Sequence, residues 1–294
     1  MRMLSAVVAV SLLVTGVACR SSHAPTGTTA SATATASVTP TPNSATSTAA
    51  RSTAATRSAG LSTTTAPSSA TPITPQSHVS TAPAHLAGRE WTAIPTTRHV
   101  VALTFDAGAN DAGVASILAT LRRSGVPATF FLTGNWVQAS PADARAICTG
   151  YRIGNHSMTH PHFTALTTAK IDAQIHDAAS TMRTTCGADP TPLFRFPYGD
   201  RDARTIAAVN DIGYVPVAWT VDTLGWEGTS GGGESTSAVT SRVLTHLQPG
   251  EIVLMHVGST PGDGSTLDAD ALPGMISALR EHGYGFVTLD ALLR

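Results

Sequence analysis

Two histidines four residues apart, His156 and His160, open the chemical reading of this chain. On a helical turn that spacing puts both imidazoles on one face, which suits a divalent metal, zinc first and cobalt or another divalent ion otherwise. Alone the pair is weak, because a surface His-x-x-x-His arises by chance in a chain with 11 histidines. His162 reads as a neighbour of the pair rather than a ligand. Asp106 is a candidate metal ligand or general base, and Arg195 is placed to pair with it and keep it ionised. His256 is a candidate general acid, with Asp222 holding its ring nitrogen. For Arg195 and Asp222 an ordinary buried ion pair is the competing reading. Metal, water, base and acid together describe hydrolysis of an acyl group.

The elements that must position these groups are short. Seven apolar runs read as strands, at 99–105, 128–133, 151–155, 193–196, 214–221, 251–256 and 284–289. Several are continuous rather than alternating, as strands buried on both faces require. Between them the patterns predict helices over 112–124, 141–149, 169–185, 202–212, 235–247 and 271–282. Pro141 marks a start, Pro273 falls in a first turn, and Gly125, Gly150, Gly187, Gly213 and Gly283 mark stops. Strand and helix alternate throughout, which means an α/β fold on a parallel sheet, open or closed into a barrel. Asp106, His156, Arg195 with Tyr198, Asp222 and His256 fall at or just beyond the ends of five different strands. In parallel α/β folds functional groups gather at the carboxyl ends of strands.

Composition sets the frame around this domain. Residues 21–80 hold 48 Ser, Thr, Ala or Pro and only two charges, Arg51 and Arg57. Such a stretch cannot bury enough surface to offset chain entropy, so 20–88 is expected to be a disordered linker. Its 60 central residues would span roughly 40–45 Å. All 19 acids lie from Glu90 onward, against 14 of the 18 bases, a net of −5 for 89–294. That excludes a nucleic-acid-binding surface as the main role. Only one apolar run is at all membrane-like, and it is short, so a polytopic membrane protein is also excluded. That run, in residues 1–19, follows Arg2 and ends Gly16-Val17-Ala18-Cys19. It resembles a bacterial lipobox, with Gly16 where leucine is usual, and an ordinary secretory signal is the alternative. The chain is thus expected to be exported, and lipid-anchored at Cys19 to the outer face of the membrane, or secreted if the lipobox reading fails. The other two cysteines, Cys148 and Cys186, would then meet oxidising conditions and form a disulfide between the C-terminal ends of consecutive helices. Two buried free thiols are the alternative.

Five ordered stretches go further. They are Thr104-Phe105-Asp106-Ala107-Gly108, Asn155-His156-Ser157-Met158-Thr159-His160, Arg195-Phe196-Pro197-Tyr198-Gly199, Asp222-Thr223-Leu224-Gly225-Trp226 and Leu254-Met255-His256. In this order they resemble the motifs of the polysaccharide deacetylases with a NodB-homology domain, carbohydrate esterase family four, across 97–294. The resemblance implies a distorted (β/α) barrel of about seven strands and removal of acetyl groups from N-acetylglucosamine polymers or acetylated xylan. It implies Asp106 as base, Arg195 orienting it, and His156 and His160 as metal ligands. Tyr198 would stabilise the oxyanion through its backbone amide, Trp226 and Leu254 would wall the acetyl pocket, and His256 would be the acid with Asp222 as partner. Two departures stand out. Ala107 replaces the aspartate that supplies a third metal ligand, so Asn110 or Asp111 would have to swing in, or solvent complete the shell. Gly225 replaces the aspartate usual before the tryptophan. The expected substrate is a wall glycan, peptidoglycan ahead of a chitin-like polymer, acted on by a monomer. An O-acetyl esterase or a catalytically degenerate glycan-binding protein are the competing readings. The Gly-rich stretch 228–236 is expected to be a loop or lid on the rim.

Overall fold

All eight residues of β1 (Val100–Ala107) are buried, as its unbroken apolar run demands of a strand covered on both faces. The computed structural model describes residues 82–230 and 234–294. In it β1 lies between β2 (Thr129–Leu132) and β7 (Glu251–His256), parallel to both. Beyond β2 follow β3 (Arg152–Asn155), β4 (Leu193–Phe194) and β5 (Val215–Pro216), and beyond β7 lies β6 (Val221–Asp222). A last short strand, β8 (Gly285–Phe286), pairs with Val100 and Val101, ahead of the stretch of β1 taken by β2. Every strand pairing in this sheet is parallel, as predicted.

The ends of the sheet are β5 and β6, yet only four residues separate them in the chain. Four residues reach little more than about 15 Å, so the sheet has to curl until its edges approach. Trp91–Ala93 bridges what remains. Trp91 pairs with Val217 and Ala93 with Glu251, and the Thr220 hydroxyl donates to Thr92 O at 2.7 Å. The result is the expected distorted barrel. The single predicted strand over 214–221 is therefore two short strands on opposite edges.

Helices cover the outside: α1 (Val114–Ser124), α2 (Gly134–Ala139), α3 (Pro141–Gly150), α4 (Thr168–Cys186), α5 (Ala203–Asp211), α6 (Thr236–Thr245) and α7 (Leu267–Glu281). Gly125 and Gly187 close α1 and α4 in left-handed conformation, φ 61° and 69°, which costs glycine little. The six-residue α2 was not predicted, being too short to show a period. The last helix starts at Leu267 rather than 271, so Pro273 is interior. Leu267, Asp268 and Ala269 are all buried, and that packing holds the extra turn. The disulfide between Cys148 and Cys186 forms as expected, joining the ends of α3 and α4 across a Cα–Cα distance of 6.1 Å.

Side-chain alternation along β1 divides the interior. Leu103, Phe105 and Ala107 face the helices, packing with Ile117, Leu121 and Leu279. Ala102 belongs to a separate inner cluster with Phe131, Val215, Val217 and Ile252. Since side chains alternate with period two, Thr104 and Asp106 continue that inner row upward. Residues 82–88 belong to the fold, contrary to the expected boundary at 89. Leu86 is buried, and Ala82 N and Gly88 N donate to Asn210 at 3.1 and 2.7 Å. Residues 1–19 with Cys19, most of the 20–88 segment, and Gly231–Gly233 of the 228–236 stretch lie outside the described residues.

Candidate active site

The inner row of β1 ends on Asp106, which is 6% exposed. Arg195, just past β4 and fully buried, donates from Nη1 to Asp106 Oδ1 at 2.7 Å. Its remaining donors are fixed too, Nε on Val217 O at 3.2 Å and Nη2 on Ala218 O at 2.9 Å. The guanidinium also lies over the Phe131 ring, 4.2 Å from its centroid. Burial alone would push the Asp106 carboxyl up, but Arg195, His156 and His256 outweigh it and hold the group below the usual carboxylate range. Asp106 is therefore an ionised carboxylate that is itself almost wholly buried.

His156 follows β3. Its Nδ1 lies 2.9 Å from Arg195 O, an acceptor only, so the proton sits on Nδ1 and Nε2 keeps its lone pair. Nε2 lies 3.4 Å from Asp106 Oδ2 and 3.2 Å from His160 Nε2. The expected helical turn is absent. The segment is a loop with Ser157 and His160 in left-handed conformation, φ 70° and 59°. The unpredicted α2 supports it: Gly134 N donates to Ser157 O at 3.0 Å and Asn135 N to Met158 O at 2.9 Å. From α4, Gln174 Oε1 accepts from Met158 N and Thr159 N. Burial depresses both imidazoles, His160 to about 4, so both are neutral at neutral pH, the form that can ligate a cation.

The donor set fits one divalent cation. Two nitrogens about 2.0–2.1 Å from a tetrahedral ion stand about 3.3 Å apart, close to the spacing here. The fit extends to two protein ligands. Ala107 faces the helix side with Leu103 and Phe105. Asp111, the suggested third ligand, accepts instead from the Ser140 hydroxyl at 2.6 Å. Asn110 is engaged with Ser259 and Ala112. Among the described residues no group of three His, Cys, Asp or Glu is arranged around one metal position.

His256 ends β7 opposite Asp106 in register. The expectation that Asp222 holds its ring is corrected by the geometry. Asp222 accepts from Leu224 N at 2.9 Å and, more loosely, from Trp226 Nε1 at 3.4 Å, which ties up its own turn. The carboxylate beside His256 is Asp268 of α7, with Oδ2 3.8 Å from Nδ1. That distance is an ion-pair approach and too long for a hydrogen bond. Burial works against a charged His256, but Asp268, Asp106 and Asp222 together raise it above the ordinary imidazole range. Nothing in the local pattern around position 268 marked this residue.

Asp106, His156, His160, Asp222 and His256 line one cleft of about 670 Å³, with Tyr198, Trp226 and Leu254 on its walls. Among the described residues, Tyr198 and Trp226 are the two large apolar side chains left exposed, at 64% and 50%. Tyr198 packs edge-on to His160 and stacks on His162; His162 is thus a neighbour of the site, as read. Trp219, not anticipated, forms another wall. Among the described residues, non-glycine positive φ occurs at Ser157, His160, Tyr198 and Leu224. All four lie in loops of this site, where backbone strain tends to collect.

Parallel strands curled into a distorted barrel, with Asp106, the imidazole pair and His256 gathered at the strand ends, are the arrangement expected of a hydrolase of the carbohydrate-esterase type. Residues 93–217 match the family model described as polysaccharide deacetylase. A peptidoglycan-N-acetylglucosamine deacetylase of Bacillus cereus is 32% identical over 201 residues, 68% of this chain and 70% of that protein. A chitooligosaccharide deacetylase of Bradyrhizobium is 31% identical over 219 residues, 71% and 97% of the two chains. Among solved structures, a CE4-family pseudoenzyme from Bacillus anthracis superposes with a TM-score of 0.64 at 27% identity, covering 71% and 70%. A mutant of that pseudoenzyme has restored enzymatic activity. The chain belongs to the polysaccharide deacetylase family, hydrolases acting on carbon–nitrogen bonds.

Proposed function

We propose that this protein removes acetyl groups hydrolytically from an N-acetylated cell-envelope polysaccharide, peptidoglycan in the first place, with a divalent metal held by His156 and His160. The observation that carries the reading is the register pair of Asp106 and His256. Neighbouring parallel strands present them to one cleft, with the carboxyl held low and the imidazole raised. That is the protonation pattern an acid–base pair needs near neutral pH. When bound, the cation would act as a Lewis acid, polarising the acetyl carbonyl and acidifying water.

Asp106 takes the proton of the attacking water, and Arg195 holds its second oxygen in place. Tyr198 offers its backbone N–H to the developing oxyanion. Trp226 and Leu254 enclose the acetyl methyl, and His256 delivers a proton to the departing sugar amine. The glycan lies along the exposed rings of Tyr198 and Trp226. Export, a lipid anchor at Cys19 and a long polar spacer would bring such a domain to the wall. The relatives named for peptidoglycan and chitooligosaccharide support the substrate class.

The test is acetate release by the full chain from peptidoglycan, N-acetylglucosamine oligomers and acetylated xylan, after metal stripping and after zinc or cobalt addition. Release restored by metal is expected. Asp106→Asn should lower it by about 10²–10⁴-fold while glycan binding is retained. No release with any metal, from folded protein that still binds glycan, would replace this reading by that of a glycan-binding protein. Preference for xylan would make it an O-acetyl esterase.

A further inference from the structure

Gly225 stands where the fourth motif of the polysaccharide deacetylases carries an aspartate, and the space a side chain would need there is already filled. A Cβ on Gly225 would lie 2.5 Å from Asp268 Oδ1, 2.7 Å from its Cγ and 3.0 Å from its Oδ2. The backbone at Gly225 is not in the left-handed region, so conformation does not demand glycine. What demands it is the Asp268 carboxylate, which arrives from the first turn of α7, 43 residues further along.

That carboxylate is built into its place. Asp268 is 3% exposed. Its Oδ1 accepts from the Thr223 hydroxyl at 2.6 Å, and its Oδ2 accepts from the backbone N–H of His256 at 2.8 Å. The same Oδ2 lies 3.8 Å from His256 Nδ1, a buried nitrogen with no hydrogen-bond partner. The titratable groups near His256 are Asp106 from β1, Asp222 from β6, Asp268 from α7, and the neutral pair His156 and His160. Of these, Arg195 occupies Asp106, and Leu224 and Trp226 occupy Asp222.

We propose that Asp268 is the positioning residue for His256, occupying from α7 the space of the carboxylate that position 225 lacks. The inference rests on His256 being the proton donor of the proposed reaction. A protonated ring needs to move only a fraction of an ångström to bring Nδ1–H into hydrogen-bond range of Oδ2. That contact leaves Nε2 for the cleft. The proton passed to the leaving amine comes from Nε2, while Nδ1 keeps its own and Asp268 stays ionised.

A carboxylate exchange tests it. Asp268→Ala and the near-isosteric Asp268→Asn should each lower kcat about tenfold or more with KM unchanged. Gly225→Asp alone should be destabilised and inactive, because two carboxylates then compete for one space. The double variant Gly225→Asp/Asp268→Ala returns a carboxylate through the other element and should regain most of the kcat lost in Asp268→Ala. Thermal melts establish folding. A folded double variant no more active than Asp268→Ala, or an Asp268→Asn enzyme with unchanged kcat and pH profile, would overturn the proposal. If the native protein releases no acetate, the functional reading fails by itself, and the same variants are read by NMR titration of the His256 ring. Its pKa should fall in Asp268→Asn by about one unit and return in the double variant; an unmoved ring sinks the proposal.

Discussion

Replacing Arg195 by methionine isolates the electrostatic centre of this barrel. The guanidinium is fully buried and makes three hydrogen bonds, one to Asp106 at 2.7 Å and two to the carbonyls of Val217 and Ala218. Methionine fills much of the volume and removes all three. Breaking a buried pair by deleting one partner costs about 3–5 kcal/mol, and the two carbonyls add about 1 kcal/mol more. Both carbonyls lie in the four-residue crossing between β5 and β6, so the loss falls where the barrel has fewest strand hydrogen bonds. Against a total stability of about 5–15 kcal/mol, the variant should be folded but weak. Its deficit should depend on pH. In the native protein Asp106 is held low, so its contribution is present above the unfolded carboxyl value of about 4 and is lost as pH falls through the folded value. Without Arg195, burial, the largest single influence on Asp106, pushes the carboxyl up. The variant's Asp106 then favours folding only in its protonated form, and that advantage disappears as pH rises through the raised value. The gap between native and variant should therefore narrow from pH 7 to pH 5. Arg195→Met/Asp106→Asn removes the stranded charge and should recover about 2 kcal/mol or more of the single-variant loss. Urea unfolding followed by tryptophan fluorescence at both pH values measures all of this. Additive losses, with coupling below about 1 kcal/mol and a deficit independent of pH, would refute the argument.

Two further outcomes follow from groups away from the cleft. The disulfide closes a separation of 38 residues, so Cys148→Ser/Cys186→Ser should lower stability by up to about 4 kcal/mol, read by denaturant unfolding; a loss under about 1 kcal/mol would show that the unfolded chain is not constrained by the link. Glu251 at the foot of β7 is fully buried, and burial raises its carboxyl to about 7. Stability present below about 4.5 is then lost as pH rises towards 7, and Glu251→Gln should remove that slope, gaining up to about 3 kcal/mol at pH 8. An equal native-to-variant difference at pH 5 and pH 8 would contradict this.

The strands of the barrel were legible because both of their faces are covered, which leaves continuous apolar runs such as Val100 to Phe105. The site was legible for a related reason. Where such a run stops at a charged or imidazole side chain, the chain has reached the carboxyl end of the sheet, and Asp106, His156, Arg195 and His256 all meet there. Other features left no periodic trace. The run 214–221 crosses from one sheet edge to the other, and residue types alone do not record that its middle pairs with Trp91. A helix of six residues, α2, is shorter than two turns. The spacing of His156 and His160 suggested a helix, but four residues bring two side chains together equally well when Ser157 and His160 turn left-handed. The spacing brought the two imidazoles together, and hydrogen bonds with Gly134, Asn135 and Gln174 decided the backbone.

The surroundings of His256 show why a motif read along the chain can name the right residue type and the wrong residue. Asp222 has the expected type at the expected place, yet both of its oxygens are taken by its own turn. The contact to Nδ1 comes from a helix that belongs to none of the five motifs. Only space links the two halves of this exchange. Glycine at 225 opens a volume, and Asp268 enters it because Thr223 and the His256 amide supply two donors that a buried carboxylate needs. A missing side chain is visible in the sequence, whereas the group that fills its place is fixed by which element packs over the gap. The same reasoning separates position 107 from position 225. Beside His156 and His160 the carboxylate within reach is Asp106, already held by Arg195, while Asp111 and Asn110 are held by Ser140 and Ser259. On the proposed reading His256 thus has a carboxylate supplied from elsewhere in the fold, while a bound cation would have two imidazoles from the protein, and weaker metal binding than in a site with a third protein ligand is the expected difference.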